Sequence, residues 1–516
     1  MRALPGVAVG ALTLGFALTC ALFVRQATLA TFADDSVSYL VMAQVFSPWQ
    51  AATAPVGAAF ASEAFYPPLF PWVLALAGAA HDLAWAHVLN ALILAACLPL
   101  MYLLGVRWLA SRGAAAVAAL VVALLPASWI NAKGILSEPL FCVLLLATLL
   151  ALDAGRRRGL LALLMAALLL TRTAAVAPIA AYAAWAFVRG RPGLGSRAKA
   201  MLPALAAVLA YGAWVLLRPA ATTDSYARLL LDNAAALGAS ADPWSAARAI
   251  LGRQLHAIGE GWIGSLLIYW VEGRPARTIL AAAVGVLALA GLALRLKERK
   301  ADGWMTGAYL VLFLVWPFYD QMGRFLFPIL PVLVLYAFAA AGRLLEAAQR
   351  PAALGYAALA LLTLSLTVPA LGFLYQRAQA PGPVTGIVDW YRTPDLAQAR
   401  ARSEVHLGLM ADMEAIRSRT REGERVMWTV PSYVALLANR EGVKAPDAGL
   451  GTDAYRTAVR QSGADHVFLS RFNPRDTLSE AAWQAGLRAL AWRPAAEHVR
   501  ALPDGTVASM LLKAPK

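Results

Sequence analysis

Long apolar runs broken by short polar stretches fill the chain up to about residue 375. Runs of about twenty residues match a hydrocarbon core of about 30 Å and predict spanning helices. They fall at about 7–31, 84–104, 114–130, 135–152, 201–217, 276–294, 303–319, 325–342 and 352–373. The run 159–188 differs, because 170-LTRTAAV-176 interrupts it near its middle. Two short helices going out and back, with Arg172 near the apex, fit it better than one straight span. The pattern therefore predicts about eleven spans.

From about residue 376 the pattern changes abruptly to charged and polar. Val405, Leu409, Met413 and Ile416 recur at helical spacing, and Gly423 suits the end of that helix. The stretches 425-RVMWTV-430 and 465-DHVFLS-470 predict buried strands, and 497-EHVRAL-502 and 506-TVASMLL-512 predict a hairpin around Pro503-Asp504-Gly505. The expected organisation is a membrane domain over 1–375, with outer loops 32–82 and 218–275, and a small soluble α/β domain over 376–516.

Composition agrees with a polytopic membrane protein: 516 residues, 60% hydrophobic and 15% charged. A soluble chain could not hide that much apolar surface. The net charge of +15 would suggest nucleic acid in a soluble protein. Here the basic residues gather in 155-GRRRG-159, 189-RGRPGLGSRAK-199, 295-RLKERK-300 and 343-RLLEAAQR-350, the positive-inside pattern of cytoplasmic loops. Nucleic-acid binding is not expected. The N-terminus is then inside and the C-terminus outside. The apolar stretch from Val7 to Leu29 is too long for an ordinary signal sequence and predicts an anchor. Cys20, Cys97 and Cys142, the three cysteines, all lie in apolar runs and form neither a disulfide framework nor a metal motif.

This topology puts four polar features on one outer face, with the tail. In 30-ATFADDSVSYLVMAQVF-46, Asp34 and Asp35 precede Tyr39, Met42 and Val45/Phe46, a spacing that predicts an amphipathic helix lying on the interface. The aspartates there are either a helix cap and boundary marker or a chemical group. In 65-FYPPLFPWVLAL-76, Pro67, Pro68 and Pro71 fix an extended entry and then start a helix. In 133-KGILSEPLF-141, Lys133 and Glu138 make a surface ion pair or belong to a pocket. In 319-YDQMGRFLFPILP-331, Arg324 anchors at headgroups or holds a phosphate through its fork of donors, and Arg172 has the same choice. Ionisable groups at membrane depth are costly and tend to be functional, and two cations near one site suit an anionic, phosphate-bearing ligand. His256 in the large outer loop could join Glu or Asp around a divalent metal.

As an ordered set, Asp35 with Tyr39, 66-YPPLFPW-72, 137-SEPLF-141, 171-TRT-173 and 324-RFLFPILP-331 resemble the GT-C superfamily of membrane glycosyltransferases over about residues 1–345. The branch most resembled includes protein O-mannosyltransferases and lipid A aminoarabinose transferases. The resemblance implies a bacterial inner-membrane enzyme that takes a sugar from a polyprenyl-phosphate donor at the outer face and passes it, with inversion, to a hydroxyl acceptor. It further implies Asp35 as general base, with Asp34 as the alternative. Arg324, Arg172 and Lys133 would serve the donor phosphate, and Glu138, Tyr39 and Tyr66 the pocket or acceptor. A divalent metal would fall to Glu138 or His256. The aminoarabinose transferases carry a Lys before Pro-Pro where this chain has Tyr66, which argues against lipid A modification specifically. The rival class is a transporter or flippase of lipid-linked saccharides, which would show internal pseudo-symmetry and midplane charges. The sequence shows no repeat between halves.

Overall fold

The structure, a computed structural model, describes residues 4–25, 29, 35–189, 193–219, 235, 242–268, 275–379, 395–446, 449–471, 479–490, 496–502 and 505–514. Six of its helices are long and apolar enough to cross a membrane: Leu4–Val24 (α1), the continuous Leu83–Leu109 stretch, Leu194–Leu217, Pro275–Lys297, Met322–Ala347 and Ala352–Gln379. A seventh is added if the pair Arg112–Leu124 and Pro126–Lys133, bent by 51°, counts as one span. The bend falls at Pro126, which starts a helix readily but cannot donate to the turn before it.

The other sequence-predicted spans are shorter helices: Glu138–Asp153 with 16 residues, Arg158–Thr171 and Val176–Arg189 with 14 each, and Ala301–Phe313 with 13. At 1.5 Å per residue, fourteen residues reach about 21 Å, short of a core of about 30 Å. The eleven-span count thus includes helices that are too short by length alone. The interrupted run at 159–188 is a pair of helices meeting at Arg172, whose backbone is extended (φ −150°, ψ 136°) and so ends the first of them. Met322–Ala347 is enclosed by its neighbours almost throughout, which shelters whatever lies at its start.

Three short helices lie between the first two long apolar helices: Asp35–Phe46 (α2), Ala54–Glu63 (α3) and Leu69–Leu76 (α4). Helix α2 departs from the amphipathic expectation, because residues 36–43 are all buried. Helices α3 and α4 pack on it, and so does the tail segment around Pro431–Ala438. It is a core helix, with Asp35 in its first turn where the helix dipole favours a negative charge.

The tail begins with helix Leu396–Arg419 and carries a five-stranded sheet: Arg425–Trp428 (β1), Glu441–Lys444 (β2), His466–Ser470 (β3), Ala496–Ala501 (β4) and Val507–Lys513 (β5). The order is β2-β1-β3-β5-β4, with β1 parallel to both neighbours and the last two pairs antiparallel. Gly423 turns the chain between helix and β1 at φ 86°, a value that suits glycine. Pro503 and Asp504 lie outside the described residues; β4 and β5 around them pair as a hairpin. Two helices, Thr452–Gln461 and Ser479–Leu490, complete the tail.

The tail does not float free of the α2–α4 segment. Leu40, Met42, Tyr66 and Phe70 share one buried apolar cluster with Ile416, Trp428, Tyr433 and Phe468. A boundary near residue 376 separates compositions, while the packing runs across it.

Candidate functional site

Four elements deliver charged side chains to one buried point. Asp35 comes from the start of α2. Glu138 opens its helix just before Pro139, with Ser137 as the preceding residue. Arg172 stands at the break between the two short helices. Arg324 sits in a single helical turn, Met322–Leu326, held between two 3-10 turns. Prolines 328 and 331 prevent a regular helix from starting earlier.

The side chains form a continuous chain of contacts. Arg324 donates from Nε to Glu138 Oε1 and from Nη2 to Asp35 Oδ2, and from Nη1 to Gln321 Oε1 at 3.2 Å. Arg172 Nη1 lies 2.8 Å from the same Glu138 oxygen and 2.9 Å from Ser137 Oγ. Ser137 in turn shares a 2.8 Å hydrogen bond with the Tyr39 hydroxyl, and the Tyr66 hydroxyl donates to Asp35 Oδ1 at 2.5 Å. Both guanidiniums stand 5.7 Å from the Phe325 ring. Tyr39 packs edge-on against Tyr66 and Phe70.

Burial makes this arrangement consequential. Glu138 is fully buried and Arg324 is 1% exposed, where ions are tolerated only when paired and hydrogen-bonded. Two carboxylates and two guanidiniums cancel in charge, yet their hydrogen bonding is incomplete. Glu138 Oε2 and Arg172 Nε have no partner among the described residues. Buried orphan atoms of this kind mark a place that a ligand or water would complete. By contrast, the partly buried Arg295–Asp302 pair, closed by Tyr336 at 2.8 Å, leaves none of its atoms orphaned among the described residues. At Asp35 burial pushes the carboxyl upward, but the Arg324 charge, the Tyr66 and Arg324 hydrogen bonds and the charge of Arg172 together hold it below the ordinary aspartate range.

Beside this cluster lies a cavity of about 370 Å³, within the range of small-molecule sites. Asn131, His256, Glu260, Ser265, Tyr319 and Gly323 line it, the last of them next to Arg324. Asn131 Oδ1 is buried there without a partner among the described residues.

The structure thus brings together Asp35, Tyr39, Tyr66, Glu138, Arg172 and Arg324. Asp34 lies outside the described residues. Lys133 stands apart from these bonds, donating to the Phe23 carbonyl at 3.0 Å with its ammonium 4.0 Å from the Phe23 ring. It makes no surface ion pair with Glu138, since both are buried and Glu138 serves the arginines. Glu138 meets both arginines through Oε1, and His256 lines the neighbouring cavity. No three His, Cys, Asp or Glu side chains gather as a metal site among the described residues. Ser137 and Gln321 were in view within the quoted motifs; nothing in the sequence marked Glu63, Ser432 or Tyr433, which the fold brings to the same region.

No family model matches the sequence, and no curated protein matches it. Among solved structures, ArnT from Cupriavidus metallidurans in the apo state aligns over 98% of this chain and 97% of its own, with a TM-score of 0.55 at 13% identity. The same protein bound to undecaprenyl phosphate aligns over 98% and 99%, with a TM-score of 0.51 at 12% identity. The archaeal oligosaccharyltransferase AglB from Archaeoglobus fulgidus, in complex with an inhibitory peptide and a dolichol-phosphate, covers 96% of this chain and 74% of its own at 12% identity; its TM-score of 0.46 is too low to argue from. At such identities the likeness is one of fold, and it extends over the apolar helices and the small sheet domain alike: the chain has the fold of ArnT.

Proposed function

We propose that the chain transfers a sugar from a polyprenyl-phosphate-linked donor to a hydroxyl acceptor at the outer face of a bacterial inner membrane. The observation that carries this reading is the buried Asp35–Arg324–Glu138–Arg172 chain, with a guanidinium N–H of Arg172 left unpartnered. Two fixed cations beside one aspartate are the donor set an inverting displacement needs: cationic support for a departing phosphate and a base for the attacking hydroxyl. A solved structure of the same fold, ArnT, is bound to undecaprenyl phosphate, which supports a lipid phosphate as the anionic ligand here.

In the proposed reaction Asp35 takes the acceptor hydroxyl proton as that oxygen bonds to the anomeric carbon. The carbon–oxygen bond to phosphate breaks, and the lipid phosphate leaves with the electron pair and a second negative charge. Arg324 and Arg172 stabilise that charge. The cavity beside Gly323 holds the sugar. Arg324 Nη2 already serves Asp35, so the donor phosphate competes with Asp35 for it. When the phosphate takes that N–H, Asp35 loses its strongest charge partner and becomes a better base. Donor binding and base activation are then one event.

The test supplies membranes containing this chain with radiolabelled undecaprenyl-phosphate hexoses and pentoses, using envelope membranes from cells lacking the chain as acceptor. The expected result is label transferred from the carrier by the wild type and not by Asp35→Asn. Label that crosses the bilayer while still attached to its carrier would overturn transfer in favour of transport.

A further inference from the structure

The tail segment Pro431–Ala438 lies against α2 and α3, directly over the helix that begins with Asp35. Its seat is built by Glu63 at the end of α3. One Glu63 oxygen accepts from Ser38, one turn along α2 from Asp35, and the other accepts from Ser432 of the tail. Next to Ser432 stands Tyr433, 1% exposed, with its ring edge-on to Trp428 at 5.8 Å. Its hydroxyl has no hydrogen-bond partner among the described residues. A phenol buried without a partner is costly, whereas the neighbouring Ser432 hydroxyl is bonded to Glu63.

We infer that Tyr433, carried in by the C-terminal domain, is an acceptor-binding residue of the site. Its hydroxyl donates a hydrogen bond to the acceptor substrate at Asp35. This rests on the glycosyl-transfer reading above. Three observations support it. The hydroxyl is buried without a hydrogen-bond partner among the described residues, as is Ser36 Oγ beside Asp35 on α2. The segment is fixed to α2 through Glu63, so Tyr433 moves with Asp35. Burial, and after it the negative charge of Asp35, push the phenol upward, so it stays protonated and keeps an O–H to donate. The tail is then a wall of the active site.

The experiment uses the full chain in membranes and compares wild type with Tyr433→Phe, which keeps the ring on Trp428. Binding of undecaprenyl phosphate, followed by tryptophan fluorescence, should stay within twofold. Transfer at limiting acceptor membranes should fall about tenfold, the loss expected of one neutral hydrogen bond, and should recover as acceptor membranes approach saturation. An unchanged rate at limiting acceptor would overturn the inference, leaving Tyr433 a packing residue. Weakened undecaprenyl phosphate binding would overturn it too, placing the hydroxyl on the donor side. A wild type that transfers from none of the donors removes the transfer reading itself, an outcome visible before the variant is compared.

Discussion

Replacing Asp35 with asparagine separates catalysis from binding in opposite directions. The substitution keeps a carbonyl oxygen for the Tyr66 hydroxyl, now 2.5 Å from Asp35 Oδ1, so the local packing has little reason to change. It removes the negative charge that Arg324 Nη2 serves. If Asp35 is the base, transfer should fall by about 10²–10⁴, equivalent to about 3–5 kcal/mol of barrier. The donor phosphate, meanwhile, no longer has to displace a carboxylate from Arg324. A charge-assisted hydrogen bond is worth about 1.5–3 kcal/mol net, and the low end of that range is about a tenfold gain in affinity. Undecaprenyl phosphate should therefore bind Asp35→Asn about tenfold more tightly than wild type. Initial rates with a radiolabelled donor and a fluorescence titration with undecaprenyl phosphate read the two effects on one membrane preparation. Transfer at full rate would remove Asp35 as the base. Lost transfer with weakened binding would refute the competition for Arg324 and make Asp35 a support of the site.

Three further outcomes follow from the same geometry. Tyr66→Phe removes a bond that favours the charged carboxylate, so the Asp35 proton affinity rises and the acid limb of kcat/KM moves to higher pH; an unmoved limb would mean that the hydroxyl does not tune Asp35. Glu63 is raised above its ordinary value of 4.5 by burial first, with Ser38, Ser432 and Lys444 acting against the shift and Asp35 adding to it. The folded state then holds the extra proton, so the seat of Pro431–Ala438 is firmest below that ordinary value and loosens as pH rises through the raised one. Hydrogen exchange over 431–438 should show protection falling between acidic and neutral pH in wild type, and no such fall in Glu63→Gln. Finally, a Cβ on Gly261 would stand 2.7 Å from the Gly323 amide nitrogen and 3.0 Å from the Met322 carbonyl carbon. Gly261→Ala should cost about 1–3 kcal/mol and lower transfer by shifting the turn that carries Arg324, while Gly259→Ala, which meets nothing within 4 Å, behaves as wild type in thermal denaturation and transfer.

How far the site was legible depended on residue type and locality. Arg172 and Arg324 stood out because a charge interrupting an apolar run is costly and visible in one dimension. The broken pair around Arg172 and the hairpin β4–β5 were legible for a similar reason, since apolar period and turn residues are local signals. The burial of α2 was not, because the tail supplies part of its cover from some 390 residues downstream. The edge strand β2 carries Glu441, Gly442, Val443 and Lys444, a polar run that forms a strand only because β1 offers a parallel partner.

By itself, then, the sequence determined that this chain has many apolar helices suited to a membrane, that its basic residues cluster between them, and that its last part is polar and mixed in secondary structure. These follow from transfer free energies and local periodicity, which act residue by residue. Only the tertiary structure decided which charges meet, that Lys133 turns to the Phe23 carbonyl and not to Glu138, and that the tail closes on α2 through Glu63 and Ser432. The reason is physical. A buried ion is stable only with a partner, and the sequence, which shows the need, does not say which of several distant partners the packing will deliver.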